Sequence, residues 1–210
     1  MPTNKVRLSI IDDDAAVLDS LRLLLASDRY EVRCFQSAED FLADEGARDA
    51  ATCVISDVRM PGMTGLDLQR EMAGSPNSAP LILITGHGDI AMAVKAVKAG
   101  AYDFLEKPLD EERLLQSIEG AVEGQHRRRV QSEAVAVFRG RVGELSDRQR
   151  QVMDLAVSGL PNKEIAQQLG ISPRTVETYR AWVMEKTGAR NLAELVRMVM
   201  LMEQHDKGLH

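Results

Sequence analysis

Asp57 ends the run Val54-Ile55-Ser56 and is followed at once by Val58-Arg59-Met60-Pro61-Gly62. A carboxylate at the end of an apolar strand is costly to desolvate unless a cation or hydrogen bonds hold it. Three other apolar runs end in the same manner. Val6–Ile11 runs into Asp12-Asp13-Asp14, Leu81–Ile84 into Thr85, and Tyr102–Leu105 into Lys107-Pro108. Acids, a hydroxyl and a lysine at strand ends converge in the crevice where parallel α/β sheets hold ligands. Read alone, the Asp12-Asp13-Asp14 run fits solvated loop or helix-cap carboxylates equally well, and Asp57 tips the balance. Crowded carboxylates repel, so a proton or a cation must relieve them. Mg²⁺ suits such a site, because it takes hard oxygen ligands and keeps several waters. A carboxylate beside the ion can act as a nucleophile and become an aspartyl phosphate. That chemistry asks mainly for positioning and charge stabilisation. Lys107 would supply the positive charge and Thr85 a hydroxyl donor, with Lys107-Pro108 a candidate cis peptide.

The elements that must position these groups alternate along the first half. After the strand Val6–Ile11, Ala15–Ser27 places Val17, Leu18, Leu21, Leu24 and Leu25 at helical spacing. Glu31–Phe35 alternates as a strand, and Ser37-Ala38-Glu39-Asp40 opens a short helix. Cys53–Ser56 is a third strand, followed by a helix after Thr64. The strand Leu81–Ile84 precedes the helix Ile90–Ala99, and Tyr102–Leu105 precedes the helix Asp110–Val122. Five strands alternating with five helices predict a parallel sheet covered on both faces.

The stretch Glu123–Gly143 is polar and holds the basic cluster His126-Arg127-Arg128-Arg129. It contains no proline and is expected to continue the preceding helix as a stiff connector. Val130, Ala134 and Val137 keep helical spacing, which fits a solvated charged helix or a dimer-contacting one. Beyond Leu145 only the helical period appears. Ser146-Asp147-Arg148-Gln149 is a capping box, Gly159-Leu160-Pro161 a break, and Asn162 the start of Lys163–Leu169. Gly170-Ile171-Ser172-Pro173 is a tight turn with Ser172 as N-cap. Arg174–Lys186 forms the next helix, stopped by Gly188, and a last helix runs from Asn191 to about Glu203. Two short helices around a glycine turn are the helix-turn-helix pattern.

Charge divides the chain in the same place. Residues 1–125 hold 12 Lys and Arg against 22 Asp and Glu, a balance of −10, and residues 126–210 hold 14 against 10, a balance of +4. Two domains with different partners follow, of which only the basic one suits nucleic acid. No run resembles a membrane span or a secretory signal, so a cytoplasmic protein with no membrane partner is expected. Cys34 and Cys53 lie in strand-like runs and read as buried, reduced thiols rather than redox sensors.

Residues 5–123 resemble the receiver domain of bacterial two-component response regulators. The resemblance rests on Asp12-Asp13, Asp57 with Met60-Pro61-Gly62, Thr85-Gly86, Gly100-Ala101 and Lys107-Pro108. It implies a flavodoxin-like, five-stranded receiver domain over residues 1–123. It also implies Mg²⁺ held by Asp13, Asp57 and the Arg59 carbonyl, with Asp12 assisting. Asp57 would take phosphate from a sensor histidine kinase, and Thr85 and Phe104 would switch together. The output surface would be Ile90–Ala99, Tyr102–Leu105 and Asp110–Val122. Core packing explains Phe104 equally well. Activation would then work by biasing a two-state element.

The segment Leu145–Val199 resembles the four-helix DNA-binding domain of the LuxR, NarL and FixJ class. The matching residues are Leu145-Ser146, Gln149, Val152, Asn162-Lys163-Glu164-Ile165-Ala166, Leu169-Gly170-Ile171-Ser172, Thr175-Val176, Met184 and Lys186. The expected organisation is a receiver domain over 1–123, a helical linker over 124–143 and an all-α helix-turn-helix domain over 144–210. Arg174–Lys186 would be the recognition helix, with Val176, Val183 and Met184 on its core face. Thr175, Glu177, Thr178, Arg180 and Ala181 remain for DNA, and Arg174, Arg180 and Lys186 are candidates for phosphate contacts or bidentate contacts to guanine. Glu177 departs from the class, where many members carry a basic residue. The runs Ile171–Glu177 and Val183–Lys186 resemble the FixJ branch. That branch implies an activator of nitrogen-fixation and microaerobic genes, an oxygen-sensing, FixL-like, haem-containing kinase as partner, and RNA polymerase as the target on promoter DNA. Phosphorylation would produce a homodimer.

Two other readings stand beside this one. An Asp-nucleophile phosphatase or phosphotransferase also places aspartates at strand ends, but normally carries a second acid two residues after the nucleophile, where Arg59 stands here. The expectation is therefore no enzyme beyond a domain that catalyses its own phosphorylation and dephosphorylation. A switch whose helical half binds proteins is opposed by its +4 balance and helix-turn-helix spacing.

Overall fold

The computed structural model describes residues 5–73, 78–86 and 90–207. The chain divides into two compact units, Met1–Arg128 and Arg129–His210.

In the first unit five strands form one sheet: β1 (Val6–Ile11), β2 (Tyr30–Phe35), β3 (Cys53–Asp57), β4 (Leu81–Thr85) and β5 (Asp103–Glu106). Every pair is parallel and the order is β2-β1-β3-β4-β5. This is the doubly wound flavodoxin-like order, which reverses direction between β1 and β3. Alternate side chains feed two cores, because successive residues of a strand face opposite ways. Leu8, Ile10, Cys53, Ile55, Ile82, Ile84 and Leu105 pack with Leu18, Leu21, Leu114 and Ile118. Ile11, Val54, Leu81 and Leu83 pack on the other face with Phe41, Leu68, Met72 and Ala96. Double burial explains why the strands read as continuous apolar runs.

The helices covering these faces are α1 (Ala15–Leu24), α2 (Ala38–Ala43), α3 (Glu45–Ala50), α4 (Gly65–Ala73), α5 (Ile90–Lys98) and α6 (Glu111–Gly143). The expected count of five is corrected here, because the chain between β2 and β3 carries two helices. Asp44 makes the break: it ends α2 and, as N-cap of α3, accepts from the Ala47 N–H at 2.7 Å. Arg33 holds that carboxylate at 2.5 Å. Tyr102 stands outside β5, which starts one residue later and extends to Glu106. Cys53 is fully buried, and burial pushes its thiol up to about 12.

Helix α6 is continuous for 33 residues. The sequence stripe Val130, Ala134 and Val137 is exposed, whereas Val135, Phe138 and Val142 are buried in the second unit. That unit adds α7 (Asp147–Val157), α8 (Asn162–Leu169), α9 (Pro173–Thr187) and α10 (Leu192–Lys207). The capping box at α7 is present, with Ser146 and Gln149 bonding reciprocally. Helix α8 starts at Asn162 rather than Lys163, behind Pro161, and ends at Gly170 with φ 64°. Ser172 caps α9 by accepting from the Thr175 N–H at 3.1 Å. No helix among the described residues is long and apolar enough to cross a membrane.

Candidate functional site

Asp12 follows β1 and Asp57 ends β3, so both stand at the point where the strand order reverses. This is where open α/β sheets bind their ligands. The peptide between Lys107 and Pro108 is cis. Lys107 Nζ donates to Asp57 Oδ1 at 2.7 Å and to Asp12 Oδ2 at 2.8 Å. Both carboxylates are almost wholly buried, their side chains 9% and 4% exposed. Burial alone would lower the Lys107 pKa, but its hydrogen bonds to Asp12 and Asp57 outweigh that and hold it above the usual lysine value.

The second Asp57 oxygen accepts from the Arg59 N–H at 2.5 Å. Asp12 Oδ1 accepts from the Asp14 N–H at 3.0 Å. Asp14 is the N-cap of α1, its side chain accepting from Ala16 N–H at 2.8 Å. Asp13 is exposed. Thr85 is fully buried at the end of β4, and its carbonyl accepts from the Lys107 N–H at 2.7 Å. Phe104 is half-buried and packs against the second core with Leu83 and Ala96. The structure thus joins Asp12, Asp57, the Arg59 backbone and Lys107 in direct contact, with Thr85 tied to Lys107 through the backbone.

The loop after Asp57 is held from outside. Glu39 of α2 accepts from the Met63 N–H at 2.8 Å. Between them Gly62 takes φ 76°, and a Cβ there would stand 2.7 Å from Glu39 Oε1. A Cβ on Gly65 would collide with the Asp57 carbonyl, so α4 starts on a glycine against the strand end.

In the second unit Val176, Val183 and Thr187 of α9 are buried, while Arg174, Glu177, Thr178 and Ala181 are exposed. Met184 packs against the core, and Thr175 is half-buried. Arg180 donates to Asn162 Oδ1 at 2.8 Å. Lys186 donates to the Glu144 carbonyl and to Gln149 Oε1, each at 3.1 Å. Arg141 of α6 donates to the Thr187 carbonyl at the end of α9, at 3.1 Å.

Residues 8–119 match the family described as "Response regulator receiver domain", and residues 143–199 match "Bacterial regulatory proteins, luxR family". The chain is 48% identical to "Transcriptional regulatory protein FixJ" of Bradyrhizobium diazoefficiens over 199 residues, 94% of this chain and 96% of that protein. This chain belongs to the response regulators with a LuxR-type DNA-binding domain. The solved structure of response regulator StyR is similar with a TM-score of 0.74 and 40% identity, covering 93% of this chain and 98% of StyR. Full-length FixJ from B. japonicum gives a TM-score of 0.58 and 44% identity over 96% of this chain and 99% of that one.

Within the receiver domain sequence reasoning missed the contact of Glu39 with the loop after Asp57. It acts across 24 residues of chain, and a glutamate in a helix start carries no signal for such a reach. In the LuxR-type domain it missed Trp182, which is 45% exposed on α9. Arg180 and Lys186 also serve internal acceptors. Arg174, Glu177, Thr178, Ala181 and Lys186 are exposed on α9, and Thr175 and Arg180 are half-buried.

Proposed function

We propose that this chain is a phosphorylation-activated transcription regulator of FixJ-like type. The observation that carries the reading is the buried Asp57 carboxylate, held by Lys107 and opening at the strand-order reversal. Asp57 attacks the phosphorus of a phosphohistidine on a sensor histidine kinase. A P–O bond forms and the P–N bond breaks; its electron pair goes to the ring nitrogen, and the imidazole, already protonated on its other nitrogen, leaves neutral.

The donor set fits Mg²⁺. The available groups are hard oxygens, from Asp12, Asp13, Asp57 and the Arg59 carbonyl. Among the described residues no three acidic, histidine or cysteine side chains are grouped to hold a metal by themselves. When bound, Mg²⁺ would neutralise charge that develops on the phosphoryl oxygens. Lys107 is placed to shift from Asp12 and Asp57 toward those oxygens. Thr85 would donate its hydroxyl to the phosphoryl group, and Phe104, in its present half-buried packing, would repack with it.

Phosphorylation then produces a homodimer through α5, β5 and the receiver part of α6, and the dimer binds paired half-sites on promoter DNA. The organisation we assign is a receiver domain over 1–123, a helical linker over 124–143 and the DNA-binding domain over 144–210. The protein would act in the cytoplasm, with RNA polymerase on the same promoter. The similarity to FixJ supports activation of nitrogen-fixation or microaerobic genes under an oxygen-sensing, FixL-like kinase.

The test is labelling by a small phosphoryl donor, with and without Mg²⁺, followed by promoter binding. Asp57→Asn is expected to remain unlabelled and inactive, since an amide is a poor nucleophile. Acid-stable labelling of that variant at the normal level rejects Asp57. Full labelling in chelator rejects the ion.

A further inference from the structure

Trp182 is the chain's one tryptophan, and it stands 45% exposed on α9, among the residues left outward for DNA. Its ring meets Tyr179 edge to face, with centroids 5.5 Å apart and planes at 78°. Tyr179 is in turn anchored, because it packs against the core formed by Val152, Ile165 and Val176. The pair is therefore a braced apolar wall. It lines a shallow hollow of about 210 Å³, together with Ser172, Arg174, Thr175 and Thr178.

The Ser172, Thr175 and Thr178 hydroxyls of this hollow are already engaged. Thr178 Oγ1 donates to the Arg174 carbonyl at 3.1 Å, and the Thr175 and Ser172 hydroxyls bond each other at 2.8 Å. The threonines thus have methyl groups to offer, beside an indole edge and one guanidinium. An exposed indole costs free energy in water unless something covers it. Arg174 sets the sign of that partner as negative. Arg174, Thr178 and Trp182 follow one another at intervals of four residues, so they lie along one stripe of the helix. That stripe is continuous with the outward face holding Glu177 and Ala181.

A partner that is anionic along one edge and carries an isolated methyl is a DNA strand presenting thymine. In the major groove thymine alone shows a C5-methyl, and apolar side chains read it by contact. We propose that the hollow between Trp182 and Thr178 receives a thymine methyl and its deoxyribose, with Arg174 on the adjoining phosphate. Trp182 is then a specificity-determining residue, selecting thymine at one position of each half-site. The inference rests on α9 being the recognition helix.

The experiment uses the full chain and a duplex obtained by binding-site selection on it. Anisotropy of a labelled duplex reports binding, while the fluorescence of Trp182 reports its own surroundings. Binding is expected to shift the emission to shorter wavelength and protect the indole from acrylamide. Replacing thymines singly by deoxyuridine removes only the methyl. At one position per half-site this should weaken binding about fourfold, the worth of one buried carbon. Trp182→Ala should weaken binding about tenfold and abolish that preference, with the salt dependence unchanged because no phosphate contact is lost. Trp182→Phe should keep part of the preference and guards against misfolding of the alanine variant.

Binding seen by anisotropy with Trp182 still fully quenchable overturns the inference and leaves α9 as a DNA reader. So does a variant that discriminates thymine from deoxyuridine as the parent does. Protection of Trp182 on phosphorylation without DNA assigns the hollow to a second copy instead and overturns it too. Selection that enriches no duplex rejects the DNA-binding reading itself, and the inference with it.

Discussion

Lys107 Nζ lies 2.7 Å from Asp57 Oδ1, across 50 residues of chain, and the same ammonium also holds Asp12. One cation thus faces two buried carboxylates at the reversal of the sheet, which leaves a net negative charge there. If Asp57 takes a phosphoryl group, as proposed, the oxygens of that group can accept the hydrogen bonds Lys107 now gives to the aspartates.

Removing the cation therefore has a predictable cost. Lys107→Met leaves two like charges facing each other and should cost about 3 kcal/mol at neutral pH. Added Mg²⁺ should recover part of that loss by binding the native state. In the parent protein the raised Lys107 pKa acts at alkaline pH. A folded-state pKa above the unfolded value of about 10.4 gives stability fully present below that value. The stability is lost as pH rises through the folded pKa. Urea melts at neutral and alkaline pH, with and without Mg²⁺, check both. A variant as stable as the parent at neutral pH without Mg²⁺ would show that Lys107 carries no charge compensation.

The loop that follows Asp57 should depend on Glu39. Glu39→Ala removes the acceptor of the Met63 N–H, worth about 1 kcal/mol, so labelling by a small donor should slow by up to about fivefold. Glu39→Gln keeps an oxygen at the same place and should restore the rate. Equal rates for the alanine variant and the parent would mean that the loop holds its own shape.

The strand-end groups were legible because sheet chemistry writes itself locally. Apolar runs of strand length ended in Asp12, Asp57 and Thr85, and parallel pairing then brought those ends together. The order of strands followed from that rule and the resemblance to receivers, and Lys107 was expected at the same strand ends, though its bonds to Asp12 and Asp57 were not. What was not legible depended on phase or on distant partners. Val130, Ala134 and Val137 keep helical spacing as well as Val135, Phe138 and Val142 do, and only the packing of α6 against α9 and α10 decides between them. Asp44 could not be seen as a break, because its role rests on Arg33 from the neighbouring strand. The internal hydrogen bonds of Arg180 and Lys186 were not legible either. Their acceptors, Asn162, Glu144 and Gln149, lie on other helices.

Assembly should run through the receiver's far edge. Val94 and Val97 of α5 are 47% and 52% exposed, and Tyr102 before β5 is 41% exposed. Sedimentation is expected to give a monomer without phosphoryl donor and a dimer with it. Val97→Asp should block the dimer while leaving Asp57 labelling intact, because a charge placed in an apolar contact is not repaid. An unchanged mass in the parent with and without donor, at micromolar protein, would remove this surface from the mechanism.

Glu177 offers the sharpest test of α9 as the proposed recognition helix. It is exposed, and among the described residues nothing pairs with its carboxylate. Arg180, three residues on, donates to Asn162. A free carboxylate on this face repels phosphates, so it must find a donor on a base edge to be worth its position; of the two amino donors in the major groove, adenine N6 stands beside an acceptor and suits an amide, whereas cytosine N4 suits a carboxylate. Glu177→Ala should then relax the choice of base at one position of each half-site by about 1–3 kcal/mol while leaving the other positions unchanged. Arg174→Ala should behave differently, weakening binding on all sequences and flattening the salt slope by about 1. Binding-site selection on the Glu177→Ala protein separates these outcomes. An unchanged motif with uniformly altered affinity would place Glu177 outside direct readout and return it to a purely electrostatic role.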